Sequence, residues 1–374
     1  MALADQHRTD EYDTDRYDTD RYDTDRDDTD APTEAVDAQA TTPTVVPGRP
    51  GLRLGGMVPP GDLLPDVLPT ERLTETGMPR PFLREQLRRI PNRRNAANVA
   101  SVWLQSFGLV VAVSWLTARL PLWAALPLWA ATFVLMGRAF ALFSILSHEA
   151  AHRLLFSDKK ANDGVGRWLL AYPAFVPFEL YRRGHFAHHR EEFGANEPDL
   201  AFYGGYPMPR ASMRRKLVRD ALGISGWKNF RVLIFAWRSA GTRPIAARIT
   251  GAQVAVWVAL WLTTGRWWAY PVLWWAPWMT GWRVLNRLRS VAEHGGMAAS
   301  RDRRQTTHVV HQSPAARFLM VPFNTGWHLA HHVDMGVPFQ HLPALHQELV
   351  DAGWVPDGLE HRSYRALWRA CITS

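Results

Sequence analysis

The sequence predicts an all-α integral membrane protein: four transmembrane helices in two hairpins, with a cytoplasmic helical cap that carries a metal site. Three observations predict it. Several apolar runs approach or reach the length of a bilayer, the loop charges sort by side, and histidines cluster at metal-ligand spacing. The mean hydropathy of −0.21 conceals the class because a polar N-terminal part dilutes the apolar remainder. The net charge of +8 conceals a similar split, since residues 1–40 carry −10 and the rest +18. A single cysteine, Cys371, excludes built-in disulfides, CxxC zinc sites and cysteine-bound iron–sulfur clusters. Any redox partner must therefore be a separate protein.

Residues 1–40 form an acidic repeat tail in which YDTDR recurs three times, followed by a degenerate copy. With almost nothing apolar to bury, this segment is expected to be disordered. Residues 41–98 are a Pro/Gly-rich linker that turns basic at Arg84, Arg88, Arg89, Arg93 and Arg94. The membrane domain spans 99–350, and 351–374 is a C-terminal tail. No basic start followed by an apolar core indicates a cleaved signal.

The first span, 99–118, is 20 residues without a charge, about 30 Å as a helix and so equal to the hydrocarbon thickness. The second, 122–147, is interrupted only by Arg138, which is expected to snorkel to water beyond the lipid. Runs 249–265 and 267–285 form a second hairpin of shorter spans. Long Arg-rich segments flank the hairpins, whereas the tight turns offer only Arg119 and Arg266, so the long segments and both termini are expected to be cytoplasmic, with the chain in the plasma (inner) membrane. The stretch 226–240 mixes Trp and Phe with Lys and Arg and suits a helix lying on the cytoplasmic interface. The expected partners are the membrane and a lipid, with no nucleic acid.

Fifteen histidines in this length would give an HxxHH pattern by chance about 0.02 times. The chain has two: His185, His188 and His189 in HFAHH, and His328, His331 and His332 in HLAHH. His148 and His152 in HEAAH make a third cluster. Imidazoles at i, i+3 and i+4 share one helical face and can converge on a metal. HEAAH alone also fits a zinc protease with Glu149 as base, but that reading leaves six clustered histidines unexplained. Neutral imidazole suits Fe, Zn and Cu alike, so spacing does not name the metal. His308, His311, His341 and His346 are expected to lie outside the ligand set, and Glu149, Glu179, Asp199, Glu293 and Asp334 are candidates to hydrogen-bond the far ring nitrogens.

These three boxes, with the paired hairpins, resemble the membrane fatty acid desaturase and hydroxylase superfamily, whose boxes read HxxxH or HxxxxH, HxxHH and HxxHH. The resemblance runs over about 99–350 and includes the flanks: Asn196, Pro198 and Asp199 after the second box, and VPFQHLPALHQEL after the third. Family members often supply one more histidine before the last box, and EHGG places His294 there.

The resemblance implies a di-iron site with nine ligands: His148, His152, His185, His188, His189, His294, His328, His331 and His332. It also implies O2 as co-substrate and an external electron donor such as ferredoxin and its reductase. The implied reaction is desaturation of a fatty acyl chain. EHGG also resembles the corresponding segment of alkane hydroxylases, so a hydroxylase or ketolase acting on an alkane, carotenoid or other lipid is the alternative.

Overall fold

The computed structural model describes residues 44–45, 53–194, 197 and 199–373. The acidic repeat, Asn196 and Pro198 lie outside the described residues. The described residues are mostly helical, and among them three helices are long and apolar enough to cross a membrane: α1 (Asn92–Arg119), α2 (Leu122–Ala151) and, later in the chain, Arg243–Thr264. At 1.5 Å per residue the 30-residue α2 is about 45 Å long, well over the hydrocarbon thickness, so its last turns extend past the lipid. That excess carries the first histidine box.

Pro121 precedes the first residue of α2 and reverses the chain into an antiparallel pair with α1. Helix α2 is the central one: 67% of its apolar window is buried, against 33% for α1 and 28% for Arg243–Thr264. The expectation that Arg138 reaches water is corrected. It is buried on α2, donating from Nε to the Phe318 carbonyl at 2.6 Å and from Nη1 to Gln105 Oε1 at 2.6 Å. Partners from two other segments satisfy it internally, at lower cost than leaving a cation facing lipid.

After α2 the chain forms Lys159–Val165, with Asp158 as its N-cap accepting from the Ala161 amide, and then α3 (Phe178–Arg190). Helices α4 (Arg210–Ala221) and α5 (Ile224–Ala236) follow. Trp227, Val232, Phe235 and Trp237 on and just after α5 are exposed beside Lys228 and Arg231, the composition of a helix at a lipid–water boundary. Gly226 lets α5 press against the chain at Met279, where an added Cβ would collide with backbone. Then comes α6 (Arg243–Thr264), closed by Gly265 at φ +68, a left-handed turn suited to glycine.

The run 267–285 is not one continuous helix. Helical residues 269–279 break at Thr280 (φ −123, ψ −83), and α7 (Gly281–His294) starts afresh. Both pieces pack along α2. A Cβ on Gly137 would lie 3.3 Å from the Gly281 backbone, so paired glycines set the close approach of α2 and α7. At the hairpin turns Trp115 donates to the Thr263 carbonyl at 2.8 Å, and the Arg266 guanidinium sits over Trp129 and Trp268.

The remainder caps the C-terminal ends of α2 and α7 with α8 (His328–Val333) and α9 (Leu342–Asp351). Two short parallel pairings, Val309–Val310 with Glu360–His361 and Met208–Pro209 with Ile372–Thr373, bind the last residues into this region. Cys371 is fully buried there.

Candidate metal centre

Four helix segments deliver the nine histidines. His148 and His152 leave the last turn of α2, His185, His188 and His189 lie on α3, His294 ends α7, and His328, His331 and His332 lie on α8. Each box is short enough to stay on one helical face, so local geometry aims it and packing of the four segments brings the faces together.

The rings form two adjoining nests. In the first, the ring nitrogens of His148, His152, His185, His189 and His331 all lie within 4.8 Å of one another. His148 Nε2 is 3.1 Å from His331 Nε2, His152 Nε2 is 2.8 Å from His185 Nε2, and His189 Nε2 is 3.1 Å from both His185 Nε2 and His331 Nε2. The second gathers His188, His294 and His332. His328 joins it, with Nε2 at 2.9 Å from His294 Nε2 and 3.1 Å from His332 Nε2. His189 and His332 stack at 4.5 Å between ring centroids where the nests meet.

The far nitrogens decide what these rings can do. His294 Nδ1 lies 2.8 Å from the Thr306 carbonyl, which can only accept, so the ring proton is on Nδ1 and Nε2 presents a bare lone pair. Glu197 Oε2, at 2.8 Å, does the same for His188 Nδ1, and Glu192 hydrogen-bonds His332 Nδ1. Lone pairs aimed at one another around 3 Å repel unless a cation lies between them. A metal–imidazole bond of about 2.1 Å would place two ligands at right angles about 3 Å apart, close to the observed spacings. The donor set therefore fits a metal, and all-imidazole chemistry suits Fe, Zn or Cu.

Electrostatics favour the same form. Burial, followed by neighbouring imidazole charges, pushes His185, His189, His328 and His332 well below the ordinary histidine range, so they are neutral near pH 7. His188 differs: burial opposes its charge, but the hydrogen bond and charge of Glu197 outweigh burial and raise it.

Of the carboxylates singled out in the sequence, Glu293 comes nearest a box histidine, 3.8 Å from His328 Nδ1, and also pairs with Arg289 at 3.1 Å. Glu149 and Asp199 line the adjoining cavity. Glu179 pairs instead with Arg167 at 2.5 Å, and Asp334 with Arg88 at 2.7 Å. The acids that do hold the rings, Glu192 and Glu197, escaped sequence reasoning, although both follow the second box within eight residues. His308 turns Nε2 to the Gly295 carbonyl at 2.8 Å, His311 is exposed, and His341 and His346 are half-buried; none of the four joins a nest.

A cavity of about 400 Å³ reaches His148, His185 and His328 at its inner end. Ile145, Phe175, Val176 and Trp278 give it apolar walls, and Asn229 and Val232 of α5, both exposed, lie at its rim. The volume falls in the roughly 300–1,000 Å³ range of small-molecule sites.

The family model described as Fatty acid desaturase matches residues 121–365, a stretch that contains all nine histidines and the cavity lining. No curated protein matches the chain significantly.

Proposed function

This chain belongs to the fatty acid desaturase family, and from that premise we propose that it desaturates a fatty acyl chain with O2 at a centre of two iron ions. The observation that carries the reading is the pair of adjoining imidazole nests beside a cavity with apolar walls on one part and polar side chains on the rest. His148, His152, His185, His189 and His331 would hold one ion, and His188, His294, His328 and His332 the other. A bound di-iron pair supplies O2-derived oxidising power for an unactivated C–H bond, chemistry that no side-chain acid or nucleophile provides. The chain's own residues do the rest. Glu197, Glu192 and the Thr306 carbonyl hold protons on three Nδ1 atoms so that the opposite lone pairs stay aimed inward. Phe175, Val176 and Trp278 exclude water and align the chain beside the nests.

Electrons come from a separate donor such as ferredoxin and its reductase, because the lone Cys371 is buried and leaves no cysteine-held cluster. The pieces 269–279 and α7 together supply the fourth crossing alongside α2, giving two hairpins with both termini on the cytoplasmic side of the plasma membrane. A membrane-impermeant thiol label should then reach an engineered cysteine near Arg266 only from the non-cytoplasmic side.

The test is expression of the full chain with ferredoxin and its reductase, followed by mass spectrometry of lipids and elemental analysis of the purified protein. Acyl species lighter by two hydrogens, with about two irons per chain, are expected. A product heavier by one oxygen moves the assignment to the hydroxylase branch, and zinc without iron overturns the di-iron reading.

A further inference from the structure

Helix α7 lines the cavity along one face, with Arg283, Asn286, Ser290 and Glu293 at successive turns. Two arginines, Arg283 and Arg289, border this space. Arg289 is neutralised by Glu293 at 3.1 Å. Arg283 makes no such ion pair among the described residues, and its guanidinium lies 4.1 Å from the centroid of the Trp278 ring, another cavity wall. Asp220, whose charge is felt at Arg283, is already held by both arms of Arg287. A guanidinium that lines a cavity with no anion beside it offers its open Nη groups to an anionic oxygen entering that cavity.

Resting on the reading of this cavity as the lipid site, we propose that Arg283 anchors the anionic head of the substrate, so that the cavity takes a long apolar chain ending in a carboxylate or phosphate in preference to a neutral ester. The rim fits this ligand, since Asn229 and Val232 sit on the amphipathic α5, where the headgroup of a membrane lipid would lie. Arg283 and His294 are eleven residues apart on one helix, about 16 Å along its axis. A chain anchored at Arg283 therefore presents interior methylenes to the nests, and the carbons next to the head stay out of reach.

The test is equilibrium binding to the full-length purified protein, without turnover, read by the fluorescence of the cavity tryptophans. The probes are palmitate, methyl palmitate and palmitoyl lysophosphatidic acid. Wild type should bind at least one of the two anions about tenfold or more tightly than the neutral ester, and the tighter anion identifies the head. Arg283→Gln should bring the preferred anion and the ester close to parity, and Arg283→Lys should keep part of the preference. Equal binding of all three probes by wild type overturns the proposal without needing any variant to fold. So does an undiminished preference in folded Arg283→Gln. Failure of the desaturase reading would instead show in metal content or lipid product, neither of which enters this measurement.

Discussion

The two imidazole nests are built from the same kind of box but are held by different means. In the second, three of the four far nitrogens have fixed acceptors: Glu197 for His188, Glu192 for His332 and the Thr306 carbonyl for His294. In the first, His148 Nδ1 and His331 Nδ1 are buried with no hydrogen-bond partner. Those rings owe their aim to the packing of α2 and α8. The second nest should therefore respond to single changes in the groups around it, whereas the first should respond to loss of a ligand or to movement of a helix.

The largest expected effect treats the nests alike. His331→Ala in the first and His188→Ala in the second should each abolish turnover and lower bound metal while leaving membrane insertion intact. Full activity in both variants would remove these residues from the site. A sharper separation comes from the acids. Glu197→Ala or Glu192→Ala should weaken metal binding about 10–100-fold at the second nest and leave the first unchanged, which chelator competition can resolve as two classes of site. Equal weakening of both classes would erase the contrast.

A smaller effect concerns acid. Burial pushes His308 down to about 4, so in acid the unfolded chain binds a proton that the folded chain refuses. Its contribution to stability is complete above about pH 6.5 and is lost as the pH falls toward 4. The lowered histidines of the nests act in the same direction. His188, raised by Glu197, acts in the opposite one: its contribution is present below about 6.5 and fades as pH rises through its folded value. Because the lowered groups outnumber it, the melting temperature of metal-free protein should fall steadily from pH 6.5 toward 4; a flat profile would contradict the burial described for these rings. The smallest effect is expected from deleting residues 1–40, which have almost no apolar content with which to join the core and should leave metal content and turnover unchanged.

The sequence by itself determined the box residues and the long apolar helices, because both are local properties. Spacing of i, i+3 and i+4 fixes a helical face, and some twenty uncharged residues fix a bilayer-length helix wherever they occur. Which ring serves which nest was decided only by tertiary structure. His188 and His189 are neighbours in sequence yet enter different nests, as do His331 and His332; adjacent helical positions point about 100° apart, so each HH pair is split between two centres. The partners of those rings were likewise illegible. Glu192 reaches His332 across 140 residues, and Glu179 and Asp334, plausible from sequence, are taken by Arg167 and Arg88. Arg138 found the Phe318 carbonyl 180 residues away in place of water, and the apolar run 267–285 broke at Thr280 where composition alone read one helix. Periodicity encodes which face of a helix is apolar or histidine-bearing, whereas the partner meeting that face depends on contacts between segments far apart in the chain, which no local pattern records.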